Sequence, residues 1–175
     1  MKKPLEALSL EEQTYLQAYR QQVKSGFYPV QMICVDACVF WDNFVLLIRR
    51  KYLPGKGMLA LPGGFVGVKE RLFDAAVREC QEETGLRLDP SWCFGSQYFD
   101  DPERSHRGRI LTHVFGFQVP TSENPPILHP ADDASEARWF SLEMDDKSLF
   151  HDDHRDIVDE MIILYKEQLK KEKKS

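Results

Sequence analysis

Acidic side chains are concentrated in one short stretch, GFVGVKERLFDAAVRECQEETGL, between Gly64 and Leu86. A helix over residues 70–84 would place three of these glutamates on one face, because side chains three and four residues apart lie on the same side. The three are Glu79, Glu82 and Glu83. Like charges at this spacing destabilise a helix unless a cation lies among them. The cluster therefore indicates a metal site, and its oxygen-only ligands favour Mg²⁺ or Mn²⁺ over zinc.

A glycine-containing turn, Leu61-Pro62-Gly63-Gly64, stands just before this helix. Glycine lets the backbone approach a ligand closely, so the Gly63 carbonyl is a candidate fourth metal ligand. Arg78 lies beside Glu79 and is placed to hold one carboxylate in a bidentate pair. The alternative interpretation, a surface helix with scattered glutamates, accounts for the glutamates alone but not for the whole arrangement.

The complete arrangement resembles the Nudix box, a pattern of glycines, glutamates and an arginine at fixed spacing. The matching residues are Gly64, Glu70, Arg78-Glu79, Cys80, Glu82-Glu83 and Gly85-Leu86. The resemblance implies an α/β (α+β) fold, the Nudix α/β/α sandwich, with a mixed β-sheet and the box as a loop-helix-loop. The family hydrolyses a nucleoside diphosphate linked to another group.

The resemblance also implies roles for the residues of the box. Glu79 and Glu83 would be the main metal ligands, assisted by Glu82 and the Gly63 carbonyl. The catalytic residues expected on this basis are Arg78, Glu79, Glu82 and Glu83. Gly64, Glu70 and Gly85 would support the box. The expected cofactor is Mg²⁺, with Mn²⁺ as the alternative.

Three further segments are similar to ADP-ribose pyrophosphatases and to the Nudix domain of bifunctional NMN adenylyltransferase/Nudix proteins. They are YLPGKGMLALPGGFV, YFDDPERSHRGRILTHVFGF and HPADDASEARWF. The similarity implies Mg²⁺-dependent cleavage of ADP-ribose to AMP and ribose 5-phosphate. Another substrate, such as NADH or a nucleotide sugar, and a non-catalytic ADP-ribose sensor are the alternatives. Whether the chain is free-standing or an excised domain stays open.

Substrate contacts are predicted in and just after the polar loop DDPERSHRG. Arg104, Arg107 and Arg109 can clamp phosphate or ribose oxygens, or stack on adenine. Phe99 or Tyr98 could supply an aromatic face.

Four acidic residues are candidates for the general base, which must reach the attacking water directly or through one more water. They are Glu82 in the box and Asp132, Asp133 and Glu136 in a later loop. His113 is interpreted as a packed or hydrogen-bonded strand residue. His151 and His154, in the motif HDDH, are interpreted as polar caps of the last helix, with a metal site as the alternative.

The elements that must position these residues follow from the hydrophobic pattern. Residues 1–28 are predicted to form a helical extension, with a helix over 9–24, and residues 29–175 the Nudix domain. The predicted strands are residues 30–40, FVLLIRR, residues 93–99, residues 109–119 and ARWFSL, and LALPGGFV is predicted as a short strand that runs into a tight turn. A last helix is predicted over 153–170. Strands and helices in mixed order predict a sheet with helices on both faces.

Bulk composition narrows the class of protein. The formal net charge of −5 argues against a long polyanion such as nucleic acid as a partner, but not against a small anionic ligand held through a metal. The four cysteines form no CxxC pair and are interpreted as reduced core or surface residues. We find no signal peptide and no membrane span, so the expected compartment is the cytoplasm. A homodimer is expected because dimers are frequent in this kind of Nudix protein.

Overall fold

The computed structural model of the protein describes residues 10, 13, 14, 17, 18, 21, 26 and 31–172, apart from 106, 122, 123, 131–133 and 145. The chain divides into two compact units, Met1–Gln31 and Met32–Ser175. In the first unit, every described position from 10 to 21 is helical, as predicted for those positions. The domain boundary between residues 28 and 29 stays a prediction.

The second unit contains a seven-stranded sheet and two α-helices among its described residues. The strands are β1 (Met32–Trp41), β2 (Phe44–Arg50), β3 (Leu59–Ala60), β4 (Gly63–Phe65), β5 (Cys93–Phe99), β6 (Ile110–Gln118) and β7 (Ala134–Ser141). The helices are α1 (Leu72–Thr84) and α2 (His154–Glu172). Short 3-10 turns at Pro90–Trp92 and Lys147–Leu149 precede β5 and α2.

The sheet is mixed, as predicted. Its main path runs β3-β2-β1-β6-β5, with β4 added to β1 and β7 added to β2. Strands β1 and β6 are parallel, and the other pairs are antiparallel.

Strands β1 and β2 form a hairpin but separate soon after its turn. They pair only at Phe40↔Val45 and Trp41↔Phe44. Farther from the turn, β1 pairs with β4 and β2 pairs with β3. The segment LALPGGFV, predicted as one short strand and a turn, therefore forms two short strands that occupy the gap between β1 and β2.

One helix packs on each face of the sheet, because side chains of a strand alternate between faces. Val35, Ala37 and Val39 of β1 pack with Ala75, Ala76 and Cys80 of α1. Cys38 and Phe40 pack with Ile157, Val158, Met161 and Tyr165 of α2. The α/β/α layers predicted from the sequence are confirmed.

At two element boundaries, local contacts explain the difference from the prediction. Helix α1 begins at Leu72 rather than at residue 70, because Glu70 closes the preceding loop. The Glu70 N–H donates to the Gly67 carbonyl at 3.0 Å, and the Glu70 carboxylate accepts from the Gly67 N–H at 3.1 Å. Strand β7 begins at Ala134, before the predicted ARWFSL, because its pairing with β2 continues past a bulge to Arg50.

The four cysteines are free thiols, as predicted: Cys34, Cys38 and Cys80 are buried and Cys93 is half-buried.

No helix in the described part of the chain is both long and apolar enough to cross a membrane.

Candidate active site

The glycine turn lies between strand β1 and helix α1. Gly63 pairs with Asp36 of β1, and Gly64 pairs with Val35. A Cβ atom at Gly64 would lie 2.5 Å from Oε1 of Glu79, so a side chain there would push against the carboxylate. At its far end, α1 stops at Gly85, which adopts the left-handed conformation (φ 74°) typical of a C′ glycine.

Arg78 binds three of the glutamates of the box. Its Nε and Nη2 atoms donate to the two carboxylate oxygens of Glu70 at 2.7 and 3.0 Å. Its Nη1 atom donates to Glu79 Oε1 and to Glu82 Oε2, both at 2.8 Å. The hydrogen bonds from Arg78 and from the Gly67 N–H lower the pKa of Glu70 below its ordinary value. Arg78 therefore orients the acidic face of α1, as predicted from its position beside Glu79.

Glu83 is the buried member of the acidic cluster, with only 5% of its surface exposed. Its Oε2 atom accepts a hydrogen bond from the Gly63 N–H at 2.9 Å. This bond ties the glycine turn directly to the last turn of α1. Glu83 and the Gly63 backbone are thus brought together through the Gly63 N–H. The roles of Glu83 and the Gly63 carbonyl as metal ligands stay a prediction.

The donor set suits a hard divalent cation. It offers carboxylate and carbonyl oxygens, the ligands that Mg²⁺ and Mn²⁺ prefer. Burial raises the pKa of Glu79, which is the expected cost of holding a carboxylate out of water and which a bound cation would offset. Within the described residues, no three His, Cys, Asp or Glu side chains already converge as a metal-binding group. Glu79 and Glu82 instead share the Arg78 guanidinium.

A cavity of about 850 Å³ lies where β1 and β2 separate. Its acidic lining comes partly from α1 and the loop before it, with Glu70, Glu79, Glu82 and Glu83. The rest comes from Asp36 of β1 and from Asp152 and Asp153 just before α2. Its basic lining comes from β2, the loop after it, α1 and the loop before β6: Arg50, Lys51, Arg78, Arg104 and Arg107. The cavity therefore combines carboxylates that can bind a metal cation with basic side chains that can bind an anionic ligand.

Arg104 lines this cavity from a buried position, with 6% of its side chain exposed. Its Nε and Nη2 atoms donate to the two carboxylate oxygens of Asp153 at 2.8 and 2.9 Å. Its Nη1 atom donates to the Thr112 hydroxyl. The predicted substrate-binding arginine is thus fixed by partners that lie far away in the sequence.

Arg107 and Phe65 form an exposed pair at the cavity. The Arg107 guanidinium carbon lies 5.8 Å from the centre of the Phe65 ring, and half of the Phe65 surface (51%) is exposed. Both residues line the cavity. An aromatic face beside a guanidinium is a suitable platform for a nucleobase.

Two predicted substrate contacts do not lie in this cavity. Phe99 packs against the hydrophobic core beneath α2, because its position in β5 directs its ring toward that layer. Arg109 donates to the Asp100 carbonyl and joins the two ends of its own loop. Phe65 and the predicted Arg107 do line the cavity. Substrate contact by Phe99 and Arg109 stays a prediction.

The four candidates for the general base differ in their position relative to the cavity. Asp132 and Asp133 lie outside the described residues. Glu136 is held by Arg49 at 2.9 Å and by Arg138 at 3.0 Å, and it does not line the cavity. These two arginines lower the pKa of Glu136, which makes its carboxylate a weaker base. Glu82 does line the cavity.

The histidines serve as packed or hydrogen-bonded residues. His113 stacks on Tyr98, with ring centres 3.9 Å apart, as the packing interpretation predicted. His154 does begin α2, but its Nδ1 atom accepts the Leu61 N–H at 3.2 Å, so it binds the glycine-turn segment rather than capping its own helix. Burial lowers the pKa of His154 to about 3, so the ring is neutral and can accept this bond.

Asp36 is a cavity residue that the sequence interpretation missed. It lies on β1 beside Gly63 and is only 6% exposed. Burial raises the pKa of Asp36 to about 7, while the positive charge of Arg104 acts in the opposite direction. A single carboxylate inside the apolar run VQMICVDACVF was the available signal, since a buried charge is costly without a functional or structural partner.

Comparison with known proteins identifies the family. The NUDIX domain profile matches residues 31–161. Because this match covers more than half of the 175 residues, the chain belongs to the Nudix hydrolase family. Nudix hydrolases generally use divalent metals.

Individual relatives share most of this domain. The chain is 39% identical over 139 residues to an ADP-ribose pyrophosphatase of Methanocaldococcus jannaschii, covering 79% of this chain and 78% of that protein. It is 28% identical over 149 residues to the ADPR responsive transcriptional repressor NtrR of Acinetobacter baylyi, covering 81% of this chain and 57% of the repressor.

A solved structure of a Nudix protein is also similar to this chain. The bifunctional NMN adenylyltransferase/ADP ribose pyrophosphatase of Francisella tularensis, complexed with AMP and a manganese ion, matches with a TM-score of 0.74 at 32% identity. The match covers 90% of this chain and 48% of that protein, so the chain spans about half its length. The predicted resemblance to this group of Nudix proteins is confirmed.

Proposed function

We propose that this protein hydrolyses the diphosphate of ADP-ribose, with Mg²⁺, to AMP and ribose 5-phosphate. One water molecule is consumed, one P–O bond of the diphosphate bridge breaks, and each product keeps one phosphate. The observation that carries the proposal is the single cavity in which the complete acidic cluster of the box faces the same space as Arg104 and Arg107. The 39% identity to an ADP-ribose pyrophosphatase supports this choice of substrate.

The proposed metal ligands are the Glu79, Glu82 and Glu83 carboxylates and the Gly63 carbonyl. Mg²⁺ bound there would neutralise diphosphate charge and activate a water molecule. Arg78 keeps the Glu79 carboxylate in place through its hydrogen bond at 2.8 Å. The Glu83–Gly63 hydrogen bond keeps the glycine turn against α1. These contacts hold the ligand oxygens in position before the substrate arrives.

The remaining residues of the cavity account for substrate binding. Arg104 and Arg107 are suited to the diphosphate oxygens, because guanidinium groups bind phosphate through paired N–H donors. Phe65 offers its exposed ring to the adenine, beside the Arg107 guanidinium. Among the described base candidates, Glu82 lines the cavity and Glu136 does not. Because a carboxylate bound to the metal is a poor base, Glu82 acts as the base only where Glu79, Glu83 and the Gly63 carbonyl hold the metal without it.

A sensor that binds ADP-ribose without cutting it is the second candidate. The specific observation in its favour is the 28% identity to a repressor that responds to ADPR. The intact set of box glutamates favours the enzyme, because a sensor has no need of a catalytic metal site. In either case we expect a homodimer, which sedimentation of the full chain would test.

The deciding experiment measures phosphate release by a coupled phosphatase from ADP-ribose, NADH, nucleotide sugars and diadenosine polyphosphates with Mg²⁺. Wild type is compared with Glu83→Gln and with Glu143→Gln, an exposed glutamate on the turn after β7. We expect ADP-ribose to be cleaved by wild type and Glu143→Gln but not by Glu83→Gln. Cleavage of another compound in preference would overturn the substrate. Binding of ADP-ribose without cleavage of any compound would favour the sensor.

A further inference from the structure

The turn His151-Asp152-Asp153-His154, called here the HDDH turn, touches two separate parts of the active site. On one side it contacts the loop between β5 and β6, which carries the predicted substrate arginines. On the other side it contacts β3 and the start of the glycine turn. The proposed mechanism uses none of its four side chains, so their arrangement needs an explanation.

The strongest of these contacts is between Asp153 and Arg104. Two parallel hydrogen bonds of 2.8 and 2.9 Å join the guanidinium to both carboxylate oxygens, and the Arg104 side chain is 6% exposed. A third bond, to the Thr112 hydroxyl, leaves the guanidinium plane no freedom to rotate. Such bidentate pairs add geometric specificity as well as energy.

The same contacts leave Arg104 able to bind a ligand. A guanidinium has five N–H groups, and here one on each of its three nitrogens is used. One N–H therefore remains on Nη1 and one on Nη2, the two terminal nitrogens. Arg104 lines the cavity, so these two donors are available to an anion there.

The neighbouring contacts extend the connection to the rest of the turn. Asp152 accepts a hydrogen bond from the Ser105 hydroxyl at 2.9 Å, next to the Arg104–Asp153 pair. The His151 N–H donates to the Leu59 carbonyl at 2.9 Å, and His154 accepts the Leu61 N–H at 3.2 Å. The HDDH turn thus joins the substrate loop to the segment that leads into Gly63.

We propose that Asp153 is a positioning residue for substrate binding: it holds the Arg104 guanidinium so that its two remaining terminal N–H groups face the diphosphate of a nucleotide in the cavity. The identity of the ligand rests on the proposed function. The positioning itself rests on the contacts of Arg104. A merely structural ion pair is the alternative, and it would hold the loop without affecting ligand affinity.

The test is a double-mutant cycle in which the affinity of each variant for ADP is measured. Calorimetric titration with ADP in EDTA is compared for wild type, Asp153→Asn, Arg104→Gln and the double variant. We expect each single substitution to weaken ADP binding by about tenfold or more, as loss of a hydrogen bond to a charged group does. The double variant should bind no more weakly than Arg104→Gln, because Asp153 acts through Arg104.

Two further variants control for general damage. Asp156→Asn removes an exposed carboxylate of α2 that pairs with Lys147 of the preceding 3-10 turn, and this variant should bind ADP as wild type does. Thr112→Val removes the second anchor of Arg104 while keeping the ion pair, so it serves if Asp153→Asn fails to fold. Thr112→Val should weaken ADP binding, as Asp153→Asn does.

Amide hydrogen exchange of the free protein gives a readout that needs no ligand. Exchange in the segment 104–112 should be faster in Asp153→Asn than in wild type, with α1 unchanged. Unchanged ADP affinity in Asp153→Asn, or losses that multiply in the double variant, would overturn the proposal, as would a wild-type protein that does not bind ADP. Failure to cleave ADP-ribose would overturn the proposed function alone, because the cycle measures ADP binding.

Discussion

Arg78 and Glu70 form a bidentate ion pair, in which Arg78 Nε lies 2.7 Å from Glu70 Oε1 and Arg78 Nη2 lies 3.0 Å from Glu70 Oε2. The same guanidinium donates from Nη1 to Glu79 and to Glu82. Glu70 therefore determines the position of the arginine that orients two of the proposed metal ligands. Partners of this kind, one contact away from the metal ligands, have large effects on metal sites even though they touch neither metal nor substrate.

We expect Glu70→Gln to lower kcat by about tenfold and to raise the Mg²⁺ concentration needed for half-maximal activity. The amide keeps the size of the side chain but loses one acceptor and the charge that holds Arg78. Steady-state assays over a range of Mg²⁺ concentrations measure both effects. The matched control is Glu136→Gln, which breaks an arginine pair outside the cavity and should leave kcat unchanged. A loss of kcat in Glu136→Gln would instead return Glu136 to the role of base.

The arrangement of the box could be predicted from the sequence because it is local. Glu79, Glu82, Glu83 and Gly85 are related by the geometry of one helix, and the structure places them as that geometry requires. The strands were also predictable, since each hydrophobic run ends at a turn signal. The larger differences depend on contacts made after folding: the ends at Leu72 and Ala134 depend on a loop contact and on sheet pairing, and LALPGGFV forms two strands because it pairs with both β1 and β2.

The substrate side of the cavity could not be predicted in the same way. Arg104 is buried because Asp153 lies against it, and 49 residues separate the two in the sequence. Phe99 and Phe65 were distinguishable only once the face of each strand was known, because the alternation of a strand does not say which face meets which layer. Asp36 was identifiable in principle, as the one carboxylate of a buried strand.

Gly64→Ala should reduce activity without unfolding the protein. The added Cβ would lie 2.5 Å from Glu79 Oε1, so the carboxylate must move away from its present position. We expect kcat/KM to fall by about tenfold or more, since displacement of a positioned catalytic group is costly. The control is Gly95→Ala, where an added Cβ meets no atom within 4 Å. Equal activity of the two variants would show that the Gly64–Glu79 contact has no catalytic importance.

Phe65→Ala is expected to weaken ADP-ribose binding while leaving stability nearly unchanged. The ring is 51% exposed, so little burial is lost, whereas stacking of a base on an aromatic ring contributes about 1–3 kcal/mol. KM should therefore rise by about tenfold with little change in kcat. Phe99→Ala is the contrasting variant, because its ring packs against the core. It should lower the melting temperature and leave KM unchanged, and the opposite pattern would restore the platform predicted at Phe99.

Acid should destabilise the protein through His154. Burial lowers the pKa of His154 to about 3 from an ordinary 6.5, so the unfolded chain binds a proton that the folded protein excludes. The free energy of unfolding should therefore fall as the pH drops below 6.5, by about 1.4 kcal/mol for each pH unit from this residue. Burial also lowers the pKa of His151, which acts in the same direction.

His154→Asn removes the titrating ring and retains a side-chain oxygen that can accept the Leu61 N–H. Denaturant unfolding between pH 7 and 5 should show a shallower loss of stability for this variant than for wild type. His129→Asn, at an exposed histidine, should keep the wild-type dependence. An identical pH dependence in wild type and His154→Asn would mean that His154 binds its proton as readily in the folded protein as in the unfolded chain, contrary to its burial and its hydrogen bond to Leu61.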